Sequence, residues 1–287
     1  MRNCLVAAVL AGCLGALRAE VLVAQPFVVE FDLAGKPMIV GGKPASARDY
    51  PASFRAGKPG RRCTWFLVAS GALVGAAHCV AGETPDDALA TIELPIGNVK
   101  HSATCTISAD YWKDSSQDWA ACRVIPPAPT PGEADAPAPG FEALNSRPEV
   151  LLALPLLEIS GFGCSFAGGP VEMDYQIGSA RVEELPPNAR VTGSVQPTPH
   201  TVKLRRAPNL LCEGDSGGPA FFYQTQSRSH RVVVGVNSAT TIAAGSSFIS
   251  SVSTSGAKRF FEQWAKDNGQ RICGLHKDAE NCRAFKP

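Results

Sequence analysis

The chain has 287 residues, 45% of them apolar and 18% charged, a globular composition long enough for one large or two modest domains. Its formal net charge is +1 with no Lys/Arg block, which argues against a nucleic-acid or anionic-membrane partner. Ten cysteines are too many for an ordinary cytosolic enzyme; without Cys4 and Cys13, which lie in the leader, eight remain, an even set that suggests four disulfides and an oxidising compartment.

Residues 1 to 19 begin with Arg2, continue through an apolar run from Leu5 to Leu17 and reach a small residue at Ala19. This is the pattern of a secretory signal peptide cleaved between Ala16 and Ala24, and the run is too short for a good transmembrane span. Leu10-Ala11-Gly12-Cys13 resembles the lipidation box of bacterial lipoproteins. The apolar run continues past Cys13, so loss of that cysteine with the leader is preferred and lipid anchoring at Cys13 is the alternative to a secreted or periplasmic protein.

From Tyr50 to Val124 short apolar runs, Phe66–Val68 and Ala72–Val74 among them, are separated by Gly, Pro, Asp and Ser. Short strands at close spacing point to a β-barrel or sandwich rather than βαβ units. Ile125 to Gly140 holds so much proline that it favours extended polyproline geometry, and fifteen such residues reach roughly 45 Å at about 3.1 Å each. Residues 126–140 are therefore read as a connection between two barrels spanning 39–125 and 141–254. In the second half, Val150–Leu157, Val171–Val182, Val202–Leu204, Ala220–Tyr223, Val232–Val236 and Ser247–Val252 are expected strands. Phe260, Phe261 and Trp264 then recur at helical spacing, with Ser255 placed to cap the start and Asn268-Gly269 to end a helix over 255–268. A tail, 269–287, carries Cys273 and Cys282.

Three motifs carry chemistry. In Cys212-Glu213-Gly214-Asp215-Ser216-Gly217-Gly218-Pro219, glycines flank a serine and permit a tight turn whose N–H groups converge beside the hydroxyl. Upstream lie Ala76-Ala77-His78-Cys79 and Asp118-Trp119-Ala120-Ala121. A serine needs a base within hydrogen-bond reach, and histidine titrates near working pH. Taken singly, each motif is more often structural: a core histidine, a strand-end acid, a tight turn. Together, in the order His, Asp, Ser, they resemble the chymotrypsin/trypsin-like serine proteases over residues 39 to 268.

That resemblance implies an all-β fold of two six-stranded antiparallel barrels closed by a C-terminal helix. It implies a secreted serine endopeptidase, with His78 as general base, Asp118 as its orienting acid, Ser216 as nucleophile, and the N–H groups of Gly214 and Ser216 as oxyanion hole. It makes Ile39-Val40-Gly41-Gly42 the start of the mature chain after removal of a propeptide, 20–38; read alone, the tetrapeptide is an ordinary strand start. The new α-amino group of Ile39 would meet the carboxylate of Asp215. Met38 before the cut argues against a trypsin-like activating protease. Leu210 falls at the floor of the specificity pocket, where trypsin-type members carry Asp, so Arg and Lys substrates are disfavoured. Ser238-Ala239-Thr240 replaces the family's Ser-Trp-Gly, and Thr240, with Ser246 opposite, is expected to narrow the pocket to small or medium apolar side chains.

The family's Cys63–Cys79 bridge is expected, and Cys105 and Cys122 flank Asp118 and can staple neighbouring strands. The cysteine that usually partners position 212 is missing, leaving Cys164, in Gly161-Phe162-Gly163-Cys164, as its candidate partner and Cys273–Cys282 as the fourth pair. Sequence alone does not fix this connectivity. His101, His200, His230 and His276 lack comparable context and are expected at the surface. Glu83, Asp86 and Asp87 read as a solvated loop rather than a Ca²⁺ site, so no metal or cofactor is expected. The expected partners are a protein or peptide substrate and an activating protease, acting on a monomer. A binding protein that has lost catalysis on the same fold is the alternative function; an esterase of the α/β-hydrolase type is disfavoured because the triad order is wrong for it.

Overall fold

The computed structural model describes residues 42–46, 49–58, 61–82, 89–96, 99–129, 140–147, 149–152, 156–164, 174–188, 198–205, 209–223, 230–241 and 244–283. The leader with Cys13, the propeptide with Met38, the Ile39 amino end, the acidic group at Glu83, Asp86 and Asp87, and most of the proline-rich connection lie outside these residues.

The first half forms β2 (Ser53–Lys58), β3 (Arg61–Ala69), β4 (Ala72–Gly75), β5 (Leu89–Ile96), β6 (Val99–Ile107) and β7 (Ala120–Ile125). They make a six-stranded antiparallel sheet in the order β2-β3-β4-β7-β6-β5. Its edges β2 and β5 approach one another, so the barrel is nearly closed. Period-two alternation drives the curl: along β6, His101, Ala103, Cys105 and Ile107 are buried while Ser102 and Thr106 face solvent.

The second half forms β8 (Leu156–Gly161), β9 (Gln176–Glu184), β10 (Thr201–Arg205), β11 (Pro219–Tyr223), β12 (Arg231–Thr241) and β13 (Ser246–Ser251). The order β9-β10-β13-β12-β11-β8 closes on itself through a β8–β9 pairing, giving the second six-stranded antiparallel barrel. The short β1 (Lys43–Pro44) adds to it beside β9. β12 lies between β11 and β13, and its residues from Arg231 to Asn237 are buried without a break.

Two local expectations need correction. Val150–Leu157 is not one strand: Glu149–Leu152 forms a single helical turn, α1, and β8 begins only at Leu156. A short leucine-rich run fits either state. The C-terminal helix α2 (Ser255–Asp267) is capped by Thr254 rather than Ser255, with Thr254 Oγ1 accepting the Ala257 N–H at 3.4 Å. Asn268 and Gly269, the latter at φ +63°, end it as expected.

Helix α2 buries Ala257, Phe261, Trp264 and Ala265 on one stripe. Phe260 and Phe261 lie 6.4 and 6.5 Å from the ring of Trp119, so an element from the end of the chain packs on the residue that follows Asp118. The halves are also joined at Glu142, whose N–H donates to the Leu67 carbonyl of β3 at 2.9 Å while its buried carboxylate accepts from Nε and Nη2 of Arg231 of β12 at 3.1 and 2.5 Å. All four expected disulfides are formed: Cys63–Cys79, Cys105–Cys122, Cys164–Cys212 and Cys273–Cys282. Among the described residues no helix is long and apolar enough to cross a membrane.

Candidate active site

His78 sits in a 3-10 turn, Ala77–Cys79, that follows β4, and the Cys63–Cys79 bridge ties this turn to β3. Asp118, 1% exposed, lies just before β7. One carboxylate oxygen, Oδ1, accepts the His78 backbone N–H at 2.8 Å, and the other, Oδ2, lies 2.6 Å from His78 Nδ1. Both oxygens are thus committed to one residue, fixing ring and main chain together. Ser238 of β12 donates its hydroxyl to the same Oδ2 at 2.6 Å, so the acid is braced from the second barrel as well. Ser238, expected at the substrate pocket, thus carries a side-chain bond to the acid that the sequence did not indicate.

Ser216 occupies the turn that leads into β11. Gly214 at φ +94° and Gly217 at φ +82° adopt conformations that favour glycine, as the sequence requires of so sharp a turn. A Cβ on Gly217 would strike the Thr64 carbonyl and come within 3.0 Å of the Ala76 N, so the serine turn packs on the chain segment that leads to His78. Three main-chain bonds hold it: Thr64 N–H to the Ser216 carbonyl at 2.8 Å, Gly217 N–H to the Asn237 carbonyl at 2.8 Å, and Asn237 N–H to the Gly218 carbonyl at 2.8 Å. His78, Asp118 and the serine turn therefore converge on the seam between the barrels.

Asp215 is completely buried behind the serine. Its Oδ1 accepts the Gly163 N–H and its Oδ2 the Cys212 N–H, each at 2.8 Å. Gly163 is required there, because a Cβ would collide with the carboxylate. Burial pushes the Asp215 carboxyl up to about 7 against the pull of those two donors. Among the described residues no cation pairs with it. Cys164 reinforces the same contact, bridging to Cys212 and donating its N–H to the Glu213 carbonyl at 3.1 Å.

Leu210, at the expected pocket floor, is buried, and Asn209 and Leu211 beside it are buried too. Thr240 reaches across to the opposite strand, donating Oγ1 to the Ser246 carbonyl at 3.1 Å and lying 3.5 Å from Ser247 Oγ. Ser247 Oγ in turn accepts the Leu211 N–H at 2.9 Å. Thr240 and Ser247 are also ladder partners, so these hydroxyls add side-chain ties between the neighbouring strands β12 and β13 and the 209–212 segment.

Of the other histidines, His101 is not at the surface. It is 3% exposed, its Nδ1 lies 2.7 Å from the Pro126 carbonyl, and β6 alternation turns it inward. His200 is half-buried, with Nδ1 2.8 Å from Thr254 Oγ1 and its ring edge-on to Trp119. Cys63, His78 and Cys79 lie close enough to suggest a metal group, but the two sulfurs are consumed by their mutual disulfide. Sequence reasoning missed Thr64, whose hydroxyl contacts both the serine turn and the 162–164 segment. The available signal was a polar residue set between Cys63 and the apolar run Trp65-Phe66-Leu67-Val68.

Two antiparallel barrels, closed by a C-terminal helix and meeting at a seam that carries a histidine, an acid and a glycine-flanked serine, define the two-barrel class of serine-type peptidases. Residues 39–255 match the Trypsin family model, and the chain belongs to that family. No curated protein matches it.

Proposed function

We propose that the chain is a secreted serine endopeptidase, made as a zymogen and activated by cleavage before Ile39, that cuts peptide bonds after small or medium apolar residues. The observation that carries this reading is the double grip of Asp118 on His78, 2.8 Å to the main chain and 2.6 Å to Nδ1, beside the serine turn. A carboxylate can only accept, so it favours the tautomer with hydrogen on Nδ1 and leaves Nε2 as a base. His78 Nε2 takes the Ser216 proton as Oγ bonds to the substrate carbonyl carbon, and the carbonyl electrons move to oxygen. The Gly214 and Ser216 N–H groups stabilise that oxyanion. Its collapse breaks the C–N bond, and the leaving amine takes the proton from His78. Water, deprotonated by the same nitrogen, then releases the acyl group and restores Ser216.

The Thr240–Ser246 link supports a shallow pocket, and the neutral Leu210 floor offers no counter-charge to Arg or Lys. The buried Asp215 carboxyl, beside which no cation stands among the described residues, supports activation by a new α-amino group at Ile39. Four disulfides agree with an extracellular location and with a signal peptide over residues 1–19. Profiling the cleaved protein against a peptide library tests the proposal. Turnover after Ala, Val or Leu that disappears in both Ser216→Ala and His78→Ala is the expected result. Cleavage after Arg or Lys would refute the pocket assignment, and absence of any hydrolysis would favour a binding protein on this fold.

A further inference from the structure

One side chain that the triad chemistry does not use grips the serine turn from the first barrel. Thr64 lies in the interior of β3 and is completely buried. A buried hydroxyl needs partners, and here it has two. Thr64 Oγ1 donates to the Gly214 carbonyl at 2.7 Å and accepts the Phe162 N–H at 3.0 Å. The direction is fixed: an N–H can only donate, so the single hydroxyl proton is left for Gly214. The Thr64 N–H meanwhile holds the Ser216 carbonyl. One residue thus clamps the turn on both sides of Asp215 and Ser216.

The peptide ahead of Gly214 is held from the other side, where the Glu213 carbonyl accepts the Cys164 N–H at 3.1 Å. In a trans peptide the N–H and C=O point opposite ways, so the Gly214 N–H is directed away from Cys164. Turning that N–H round requires rotation about the Gly214 backbone, which lacks the Cβ that would resist it. That rotation pivots on the Gly214 Cα, and the peptides on both sides of the pivot are held, the one before it by Cys164 at the Glu213 carbonyl and the one after it by Thr64 at the Gly214 carbonyl.

We propose that Thr64 is a positioning residue for the oxyanion site: its hydroxyl, bridging the Gly214 carbonyl and the Phe162 N–H, keeps the Gly214 N–H aimed where the oxyanion develops. The inference rests on the Ser216 acyl-transfer reading above. Thr64 itself touches neither substrate nor the reacting atoms and acts through Gly214.

The test compares cleaved wild-type protein with Thr64→Ser, Thr64→Val and Thr64→Ala on a chromogenic peptide amide, with active sites counted by a fluorophosphonate. Thr64→Ser keeps the hydroxyl and is expected to stay within about threefold of wild-type kcat. Thr64→Val is expected to lose on the order of tenfold in kcat, the scale of a weakened oxyanion donor, at nearly unchanged KM. Affinity for a peptide aldehyde, whose adduct places an oxygen in the same position, should fall with kcat, while affinity for the cleaved product peptide should not. Thr64→Ala makes the same comparison without added bulk should the valine variant fail to fold. Wild-type kcat in the hydroxyl-free variants, equal damage in Thr64→Ser, or a change confined to KM would overturn the proposal. A wild-type protein that neither hydrolyses nor labels overturns the Ser216 reading and this one with it; an active wild type with an indifferent Thr64 overturns this one alone.

Discussion

Uncleaved protein is expected to lose stability as pH rises from about 4 to about 7, and cleavage before Ile39 is expected to abolish that loss. The group responsible is Asp215, whose carboxyl rises from 3.8 to about 7 on burial. Within that window the folded chain keeps a proton that the unfolded chain releases, so unfolding gains relative to folding as pH increases. The penalty is absent below 3.8, grows across the interval and is constant above about 7. At 1.36 kcal/mol per tenfold, a rise of this size corresponds to on the order of 4 kcal/mol. A paired α-amino group from Ile39 would favour the carboxylate and remove the penalty. Urea unfolding of disulfide-intact Ser216→Ala protein, before and after cleavage, should therefore give curves that meet near pH 4 and diverge toward pH 7. Asp215→Asn should flatten the pH dependence of both forms, at a separate fixed cost of about 1–3 kcal/mol for the N–H it leaves without an acceptor. Parallel curves for the cleaved and uncleaved proteins would refute the argument.

Ser238→Ala removes a hydroxyl bond to the Asp118 carboxylate and should lower kcat roughly tenfold with little change in KM, measured by steady-state amide hydrolysis. Thr240→Gly cuts the tie to the Ser246 carbonyl, and should raise kcat/KM for a Phe substrate relative to an Ala substrate by at least about tenfold, read from paired peptide amides. Glu142→Gln strands the buried Arg231 guanidinium and should cost about 3–5 kcal/mol in denaturant unfolding, while leaving kcat of the folded protein near wild type.

The candidate site could be named from the sequence because its chemistry is compressed into short motifs. The glycines around Ser216 announce a turn that glycine makes comfortably, and the structure puts two of the three, Gly214 and Gly217, at positive φ. Cys164–Cys212 was reachable because the sequence lacks the cysteine that family members would use for position 212. Contacts between distant segments were not legible: the Thr64–Gly214 bond spans 150 positions, and nothing near Thr64 names its partner. The Ser238 hydroxyl bond to Asp118 spans 120 positions and likewise had no local signal. The buried His101 was recoverable from the alternation His101, Ala103, Cys105, Ile107, which puts it on the inward face. Helix against strand over Val150–Leu157 was not, because leucine serves both.

The proposed hydrolysis depends on Ser216 being a nucleophile activated by His78. Reaction of the cleaved protein with a fluorophosphonate, followed by peptide mass mapping, tests it directly. The account requires one adduct, on the peptide containing Ser216, whose formation slows by orders of magnitude in His78→Ala. An unmodified Ser216 in correctly cleaved protein, or labelling indifferent to His78, would contradict it.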